Sequence, residues 1–159
     1  MDGKLDEKFM RLAIQKAEKN LKIMEGGPFG ACIVKEGAVL AVARNTVLKS
    51  DATCHAEMNA IRIASRKIKT YDLSGSVIYS TTEPCPMCFS ALHWARAGLI
   101  VYGTKIIDAD KIGFNEMKIS DRRLKTLGKS KIKLVPGFLR DECEQLLVSW
   151  NRLPDKMLY

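Results

Sequence analysis

The chain has 159 residues, a length that suits one domain with a sizeable hydrophobic core. Hydrophobic residues make up 47% of it and charged residues 28%, both ordinary for a water-soluble globular protein. No apolar run reaches the roughly 18 residues of a membrane span, and residues 1–20 mix acids and bases without the apolar centre of a signal peptide. We therefore expect one domain over residues 1–159, in the cytoplasm and not in a membrane.

Helices and strands alternate along the chain. Apolar residues at helical spacing from Phe9 to Leu21 predict a first helix, which ends before Gly26. Two short apolar runs joined around Gly37 predict a β-hairpin. The hairpin strands are expected at 31–34 and 39–43, further strands at 76–80, 99–102 and 132–135, and further helices at 56–67, 86–97 and 139–150. This alternation predicts an α/β fold in which helices cover a sheet.

The formal net charge of +8 permits either a nucleic-acid partner or simple solubility. Much of it lies in residues 118–133, where basic residues outnumber the single acid, Asp121. The tract contains no aromatic residue that could stack on a base. A solvated basic face is therefore the favoured interpretation, and nucleic-acid binding is the second.

Two short motifs offer ligands for one metal ion. The first reads His55-Ala56-Glu57, and the second reads Pro84-Cys85-Pro86-Met87-Cys88. Cys85 and Cys88 would share a face in the first turn of a helix that Pro86 opens, so both sulfurs can reach one ion. His55 would stand at the start of another helix, and the positive ends of both helices favour thiolate over thiol. Three protein ligands leave one position of a tetrahedral Zn²⁺ open, which is typical of catalytic zinc.

The other candidate ligands are less suitable. Adjacent residues project in different directions, so Cys54 is not expected to bind the same ion as His55. His93 lies about 7.5 Å further along its helix than Cys88 at 1.5 Å per residue, and packing or substrate contact suits it better. Cys32 and Cys143 are expected to be buried in apolar surroundings, since a cytosolic chain keeps its thiols reduced.

The pattern H-x-E with P-C-x-x-C resembles the signature of the zinc-dependent nucleobase deaminases. Within that superfamily the chain is most similar to the bacterial-type guanine deaminases and the related guanosine deaminases. The resemblance runs from about Gly27 to the C-terminus. It is carried by residues 27–31, Asn45, His55-Ala56-Glu57, residues 83–88, residues 94–96, Gly113-Phe114 and Tyr159.

The resemblance implies a three-layer α/β/α sandwich with a central mixed sheet of about five strands. It also implies a homodimer in which the C-terminal tail, about residues 139–159, is exchanged between subunits and completes the partner's active site. One Zn²⁺ per chain, held by His55, Cys85 and Cys88, would activate a water molecule. Glu57 would take the proton from that water, protonate the ring nitrogen and later protonate the departing amine.

Substrate contacts are expected from residues away from the metal. Asn45 can donate to and accept from a base edge, although an asparagine there could also simply form a turn. Phe29 and Trp94 could sandwich the ring, or pack in the core, and the amide of Ala56 is a candidate donor to a purine oxygen. By resemblance, the acid that follows Gly113-Phe114 and the terminal Tyr159 come from the exchanged tail, and Phe114 is a further candidate contact. Here Asn115-Glu116 replaces the family's acidic pair, so Glu116 alone keeps a carboxylate.

Three functions are compatible with these motifs. The first is hydrolytic deamination of a free base or nucleoside, with guanine to xanthine and ammonia preferred and cytosine as a variant. The second is deamination of adenosine to inosine in tRNA, which the basic tract favours. The third is a non-enzymatic binding module stabilised by zinc, which leaves Glu57 and the open metal position unexplained.

Overall fold

The sheet of this protein has the strand order β2-β1-β3-β4-β5 in a computed structural model that describes residues 5–159. The first four residues of the predicted 1–159 domain lie outside the described residues. β1 pairs antiparallel with β2 and with β3, whereas β3, β4 and β5 are parallel. The strands are β1 (Gly30–Lys35), β2 (Ala38–Arg44), β3 (Ser76–Thr82), β4 (Leu99–Thr104) and β5 (Lys133–Pro136). The expected mixed sheet is confirmed, and each strand falls within two residues of its predicted bounds.

Helices cover both faces of this sheet. They are α1 (Glu7–Glu18), α2 (Asn20–Ile23), α3 (Ala56–Ile68), α4 (Pro86–Trp94), α5 (Ile106–Lys111), α6 (Asp121–Leu127) and α7 (Arg140–Asn151). Successive residues of a strand point to opposite faces. Accordingly Ala31 and Ile33 of β1 pack with α3 and α4 in one core cluster, while Cys32 and Val34 pack with α1 and α7 in another. The predicted α/β/α sandwich is therefore confirmed.

Four helices differ from the sequence-based expectation. The predicted first helix, from Phe9 to Leu21, is divided at Lys19 into α1 and the short α2. α4 ends at Trp94 rather than at residue 97, because Ala95 caps it and Arg96 has a left-handed backbone with φ of 60°. α5 and α6 were not predicted, since each is shorter than two full turns and carries too few apolar residues for a clear helical period. Among the described residues, none of the helices combines the length and the apolar character that crossing a membrane requires.

A pair of buried carboxylates lies where α6 begins. The Asp121 side chain is fully buried, and the described residues provide no hydrogen-bond partner for either of its carboxylate oxygens. Its backbone N–H donates to Glu83 Oε1 at 3.0 Å. Burial, together with the neighbouring Glu83 carboxylate, raises the pKa of Asp121 to about 9. Asp121 is therefore expected to be neutral at physiological pH.

This protonation makes the stability of the fold depend on pH. Between pH values of about 4 and 9, folded Asp121 holds a proton that the unfolded chain has released. The free energy of unfolding therefore falls as the pH rises, by at most about 1.4 kcal/mol per pH unit. Asp121→Asn removes this dependence, so its melting temperature relative to the wild type is expected to be higher at pH 8 than at pH 5. The exposed Asp155→Asn is the control, and an equal shift for Asp121→Asn at both pH values would contradict the prediction.

Candidate metal centre and pocket

The metal-ligand candidates meet where two helices begin. His55 is the N-cap residue of α3 and Cys85 is that of α4, and neither side chain makes a capping hydrogen bond. Instead they face each other, with His55 Nδ1 3.5 Å from Cys85 Sγ. Cys88 lies one turn into α4, and the ligand atoms of all three residues lie within 4.8 Å of one another. The predicted i, i+3 arrangement on α4 is what brings the second sulfur into this cluster.

These distances fit a zinc ion. A tetrahedral zinc with Zn–S and Zn–N bonds of about 2.3 and 2.0 Å holds its sulfur and nitrogen ligands about 3.5 Å apart. The neighbouring Cys88, followed by His55, lowers the pKa of Cys85 to about 4. Thiolate is the form that binds metal. One nitrogen and two sulfurs provide three ligands, so a tetrahedral ion held here keeps one position for another molecule.

Glu57 lies beside this cluster without belonging to it. It is the second residue of α3 and its side chain is buried. Its Oε1 accepts a hydrogen bond from Ser80 Oγ at 2.7 Å, and its Oε2 accepts one from Cys88 Sγ at 3.4 Å. Burial raises the pKa of Glu57. A carboxylate with a raised pKa next to an open metal position is suited to accept a proton from a bound water molecule.

A pocket opens directly onto these groups. Aromatic and polar side chains from five segments of the chain surround it. The lining residues are Phe29, Asn45, Val47, Ala52, His55, Glu57, Thr82, Glu83, Cys85, Phe114, Asn115, Glu116 and Tyr159. A small concave site in which aromatic rings and converging polar groups surround a buried acid is typical of a binding pocket for a small polar molecule.

Asn45 is fixed on one side of the pocket. Its Oδ1 accepts the backbone N–H of Val47 at 3.0 Å, and its backbone carbonyl accepts from Asn20 Nδ2 at 2.8 Å. Gly26 allows this arrangement, because a Cβ at that position would lie 2.2 Å from Asn45 Oδ1. Asn45 thus forms a turn and also lines the pocket. Since Oδ1 serves the turn, the NH₂ group is the half of the amide that remains to donate to a ligand.

The C-terminal segment also lines the pocket. Tyr159 Oη accepts the backbone N–H of Gly27 at 2.8 Å, and the Tyr159 carbonyl accepts the N–H of Asn115 at 3.0 Å. The Phe114 ring packs edge-on against Tyr159 and against Phe29, with ring centroids 5.4 and 5.0 Å apart. The tail of this chain therefore covers the chain's own pocket. Exchange of the tail between subunits stays a prediction.

Glu116 gives the pocket a third carboxyl group, beside those of Glu57 and Glu83. Burial, followed by the charge of Cys85, raises its pKa to about 7. A carboxyl group close to half-ionised near neutral pH can accept from, or donate to, the polar edge of a base. Asn115 lines the same pocket beside it.

This site has counterparts in known proteins. The family model for the cytidine and deoxycytidylate deaminase zinc-binding region matches residues 3–104. The chain belongs to this family. The expected zinc cofactor follows from the family together with the His55, Cys85 and Cys88 cluster, and the chain is a zinc-dependent hydrolytic deaminase.

Relatives of this deaminase act on different substrates. The guanine deaminase of Bacillus subtilis (strain 168) is 41% identical over 111 residues, which are 69% of this chain and 71% of that protein. The tRNA-specific adenosine deaminase of Buchnera aphidicola subsp. Schizaphis graminum is 31% identical over 151 residues, which are 92% of this chain and 94% of that protein. A solved structure in complex with 8-azaguanine has a TM-score of 0.83 at 29% identity, covering 91% of this chain and 83% of that chain.

One predicted substrate contact is not where the sequence placed it. Trp94 ends α4, its side chain is 75% exposed, and it does not line the pocket of this deaminase chain. The nine-residue length of α4 places Trp94 at the end of the helix away from Cys85, so it does not face Phe29 across the same cavity. The expected sandwich of Phe29 and Trp94 is therefore wrong within one chain, and Phe114 is the aromatic partner of Phe29.

The sequence also singled out Ala56, Cys54 and His93, and the structure gives the position of each. Ala56 is the first residue of α3, where backbone N–H groups have no partner within the helix. Cys54 Sγ lies 3.6 Å from Asp51 Oδ2 and outside the ligand cluster. His93 Nδ1 lies 3.0 Å from Ser130 Oγ, away from the pocket. Cys54 and His93 are thus not among the candidate ligands, as expected.

Sequence reasoning missed the buried groups that support the site. Ser80 contacts Glu57, and Thr82 and Glu83 line the pocket. All three lie on β3 or directly after it, in the run that leads to Cys85. Polar residues in a strand that is otherwise buried were the available signal, since buried polar groups need partners.

Metal content tests the ligand set. The purified deaminase is expected to hold about one zinc ion per chain, because the three ligands form one tetrahedral site. His55→Ala should lose the ion, whereas Cys54→Ser should keep it, since that thiol lies outside the cluster. Elemental analysis of the dialysed proteins measures both. Retention of zinc by His55→Ala, or its loss from Cys54→Ser, would overturn the assignment.

Proposed function

We propose that this deaminase converts guanine and water to xanthine and ammonia. The observation that carries the proposal is the juxtaposition in one pocket of the three-ligand cluster, buried Glu57, Asn45 and Glu116. The first two supply deamination chemistry, and the last two supply hydrogen-bonding groups for a purine edge. The similarity to a guanine deaminase and to a structure that binds 8-azaguanine supports this choice of base.

The chain's own residues handle the protons of the reaction. A zinc ion held by His55, Cys85 and Cys88 would supply hydroxide near neutral pH by lowering the pKa of water. Glu57 takes one proton from this water and delivers it to the ring nitrogen beside C2. Once the water oxygen is bonded to C2, Glu57 takes the second proton from that oxygen and gives it to the amine, so that ammonia leaves and the C2 carbonyl of xanthine forms. Its burial suits this work, because a raised pKa brings the carboxyl group nearer to the pH at which it must both accept and release a proton.

The pocket walls hold the base in place. The Asn45 amide donates from one side, and the Glu116 carboxylate accepts from the N–H groups of the purine on the other. Phe29 and Phe114 provide aromatic surface for the ring. Tyr159 and its bond to Gly27 exclude water while the reaction proceeds. A single carboxylate at Glu116, beside the neutral Asn115, is enough for this recognition.

A tRNA adenosine deaminase is the alternative, because such a relative aligns over 92% of this chain. The tail argues against it. Tyr159 bonds to Gly27 and covers the pocket, which favours a free base over a nucleotide within a long RNA.

Ammonia release separates these functions. The zinc-loaded protein should be assayed on guanine, guanosine, cytosine, adenine and a tRNA anticodon stem-loop, with the highest kcat/KM expected for guanine. Glu57→Ala should lose at least about 100-fold in kcat, since general acid–base catalysis contributes about 10²–10⁴-fold. Arg66→Ala, at an exposed position near the C-terminal end of α3, is the control. Activity on the RNA alone would overturn the proposed substrate, and full activity in Glu57→Ala would overturn the mechanism.

We also propose that the protein is a cytoplasmic homodimer with exchanged tails. The five free cysteines, two of them metal ligands, suit a reducing compartment. Tyr159, the last residue of the tail, supplies contacts with Phe114 and with the Gly27 N–H that close the pocket, and the tail of a partner subunit would make the same contacts.

Mixed subunits test this exchange. Deletion of Tyr159 should lower the activity of the pure protein, because the pocket loses its cover. When Glu57→Ala and the Tyr159 deletion are co-expressed, exchanged tails would give one complete site in each mixed dimer. About a quarter of the wild-type activity is then expected, since about half of the dimers are mixed. Tails that stay on their own chain would give no recovery, and that result would overturn the exchange.

A further inference from the structure

Ser80 stands behind the proton carrier of this deaminase. It lies in β3 with its side chain 1% exposed, and it is not part of the pocket lining. Its Oγ is 2.7 Å from Glu57 Oε1 and also 2.7 Å from the backbone carbonyl oxygen of Thr82. The single hydroxyl group of this buried serine therefore lies within short hydrogen-bonding distance of two oxygen atoms.

One proton cannot serve both partners at once. A serine hydroxyl donates one hydrogen bond and accepts through its lone pairs, whereas a carbonyl oxygen only accepts. When Glu57 Oε1 carries no proton, the Ser80 hydroxyl donates to it. When Oε1 carries a proton, Glu57 donates to Ser80 Oγ, and the Ser80 hydroxyl turns to the Thr82 carbonyl. The distances of 2.7 Å therefore accommodate both states of the carboxyl group without moving a heavy atom.

The second acceptor is rigidly placed. Thr82 pairs with Thr104 in the parallel ladder of β3 and β4. Thr104 Oγ1 donates to the Thr81 carbonyl at 3.1 Å, so its contact with Thr82 Oγ1 at 2.8 Å is one in which Thr82 donates. These bonds fix the end of β3, and with it the Thr82 carbonyl to which the Ser80 hydroxyl can turn.

We propose that Ser80 is the positioning residue for Glu57, and that it keeps Oε1 at one place both before and after Glu57 takes the proton from water. This inference rests on the proton-carrying role proposed for Glu57. In the step itself the proton passes from water to Glu57. The Ser80 hydroxyl only rotates, so no bond to its own hydrogen is broken. Without the hydroxyl, the carboxyl group is free to turn about its last torsion, which is intrinsically broad.

Removal of the hydroxyl should slow the reaction and leave binding unchanged. For Ser80→Ala we expect kcat to fall about 10–100-fold, the usual loss when a group that orients a metal-site residue is removed. The KM for guanine, the Kd for 8-azaguanine and the zinc content should stay close to the wild type, because Ser80 contacts neither the pocket nor the metal. Ser80→Thr restores a hydroxyl group and should recover most of kcat.

Ser76→Ala is the matched control. Ser76 is fully buried at the other end of the same strand, and its hydroxyl donates to the carbonyl of Leu73, far from Glu57. Loss of this hydroxyl should lower stability, as loss of the Ser80 hydroxyl does, but should leave kcat unchanged. Equal losses of kcat in Ser76→Ala and Ser80→Ala would show that the loss does not depend on a contact with Glu57. That result would overturn the inference.

The remaining outcomes also decide the question. A kcat for Ser80→Ala close to the wild type, with Glu57→Ala inactive, would overturn the role of Ser80 and leave the proposed function standing. Full activity in Glu57→Ala would overturn both. If Ser80→Ala fails to fold or to bind zinc, Ser80→Thr and Ser80→Val replace it, because the two side chains share a shape and differ in the hydroxyl. Equal kcat values in that pair would overturn the inference.

Discussion

The site of this deaminase depends on two helix N-termini that meet at one end of the sheet. α3 follows the hairpin of β1 and β2, and α4 follows β3, which pairs with β1. The ladders bring the ends of β1, β2 and β3 together, and the segments that follow β2 and β3 lead to the starts of α3 and α4. His55 and Cys85 are the N-cap residues at those two points, so 3.5 Å between their ligand atoms is a property of the whole sheet. The positive ends of both helices further favour the thiolate and carboxylate groups collected there.

A second constraint is that this polar centre must be closed off from water. The aromatic cluster around Phe114 and Trp150 anchors the C-terminal part of the chain on the pocket side. Trp150 belongs to α7, which packs on the opposite face of the sheet from α3 and α4. Through this cluster the tail connects the two helical layers. The cover of the pocket is therefore stabilised by apolar contacts well away from the metal ligands.

The sequence predicted the parts of the fold and site that depend on local patterns. Alternating apolar runs identified the five strands, and Pro86 identified the start of α4. The spacing of Cys85 and Cys88 was sufficient for the metal cluster, because three residues make about one helical turn. α6 and the position of Trp94 were missed or misplaced, since each depends on how distant segments pack. Ser80 and Asp121 were missed for the same reason. The residues they contact, Glu57 and Glu83, lie 23 and 38 residues away along the chain.

The residues proposed for the chemistry and those proposed for recognition lie in different parts of the fold. His55, Glu57, Cys85 and Cys88 stand at the starts of two regular helices. By contrast, Asn45, Glu116 and Tyr159 lie outside regular elements, in segments that tolerate change more readily. A fold divided in this way can acquire a new substrate by altering its loops while the proton-transfer apparatus stays intact. That division gives a physical reason why relatives with recognisably similar chains act on a free base in one case and on tRNA in another.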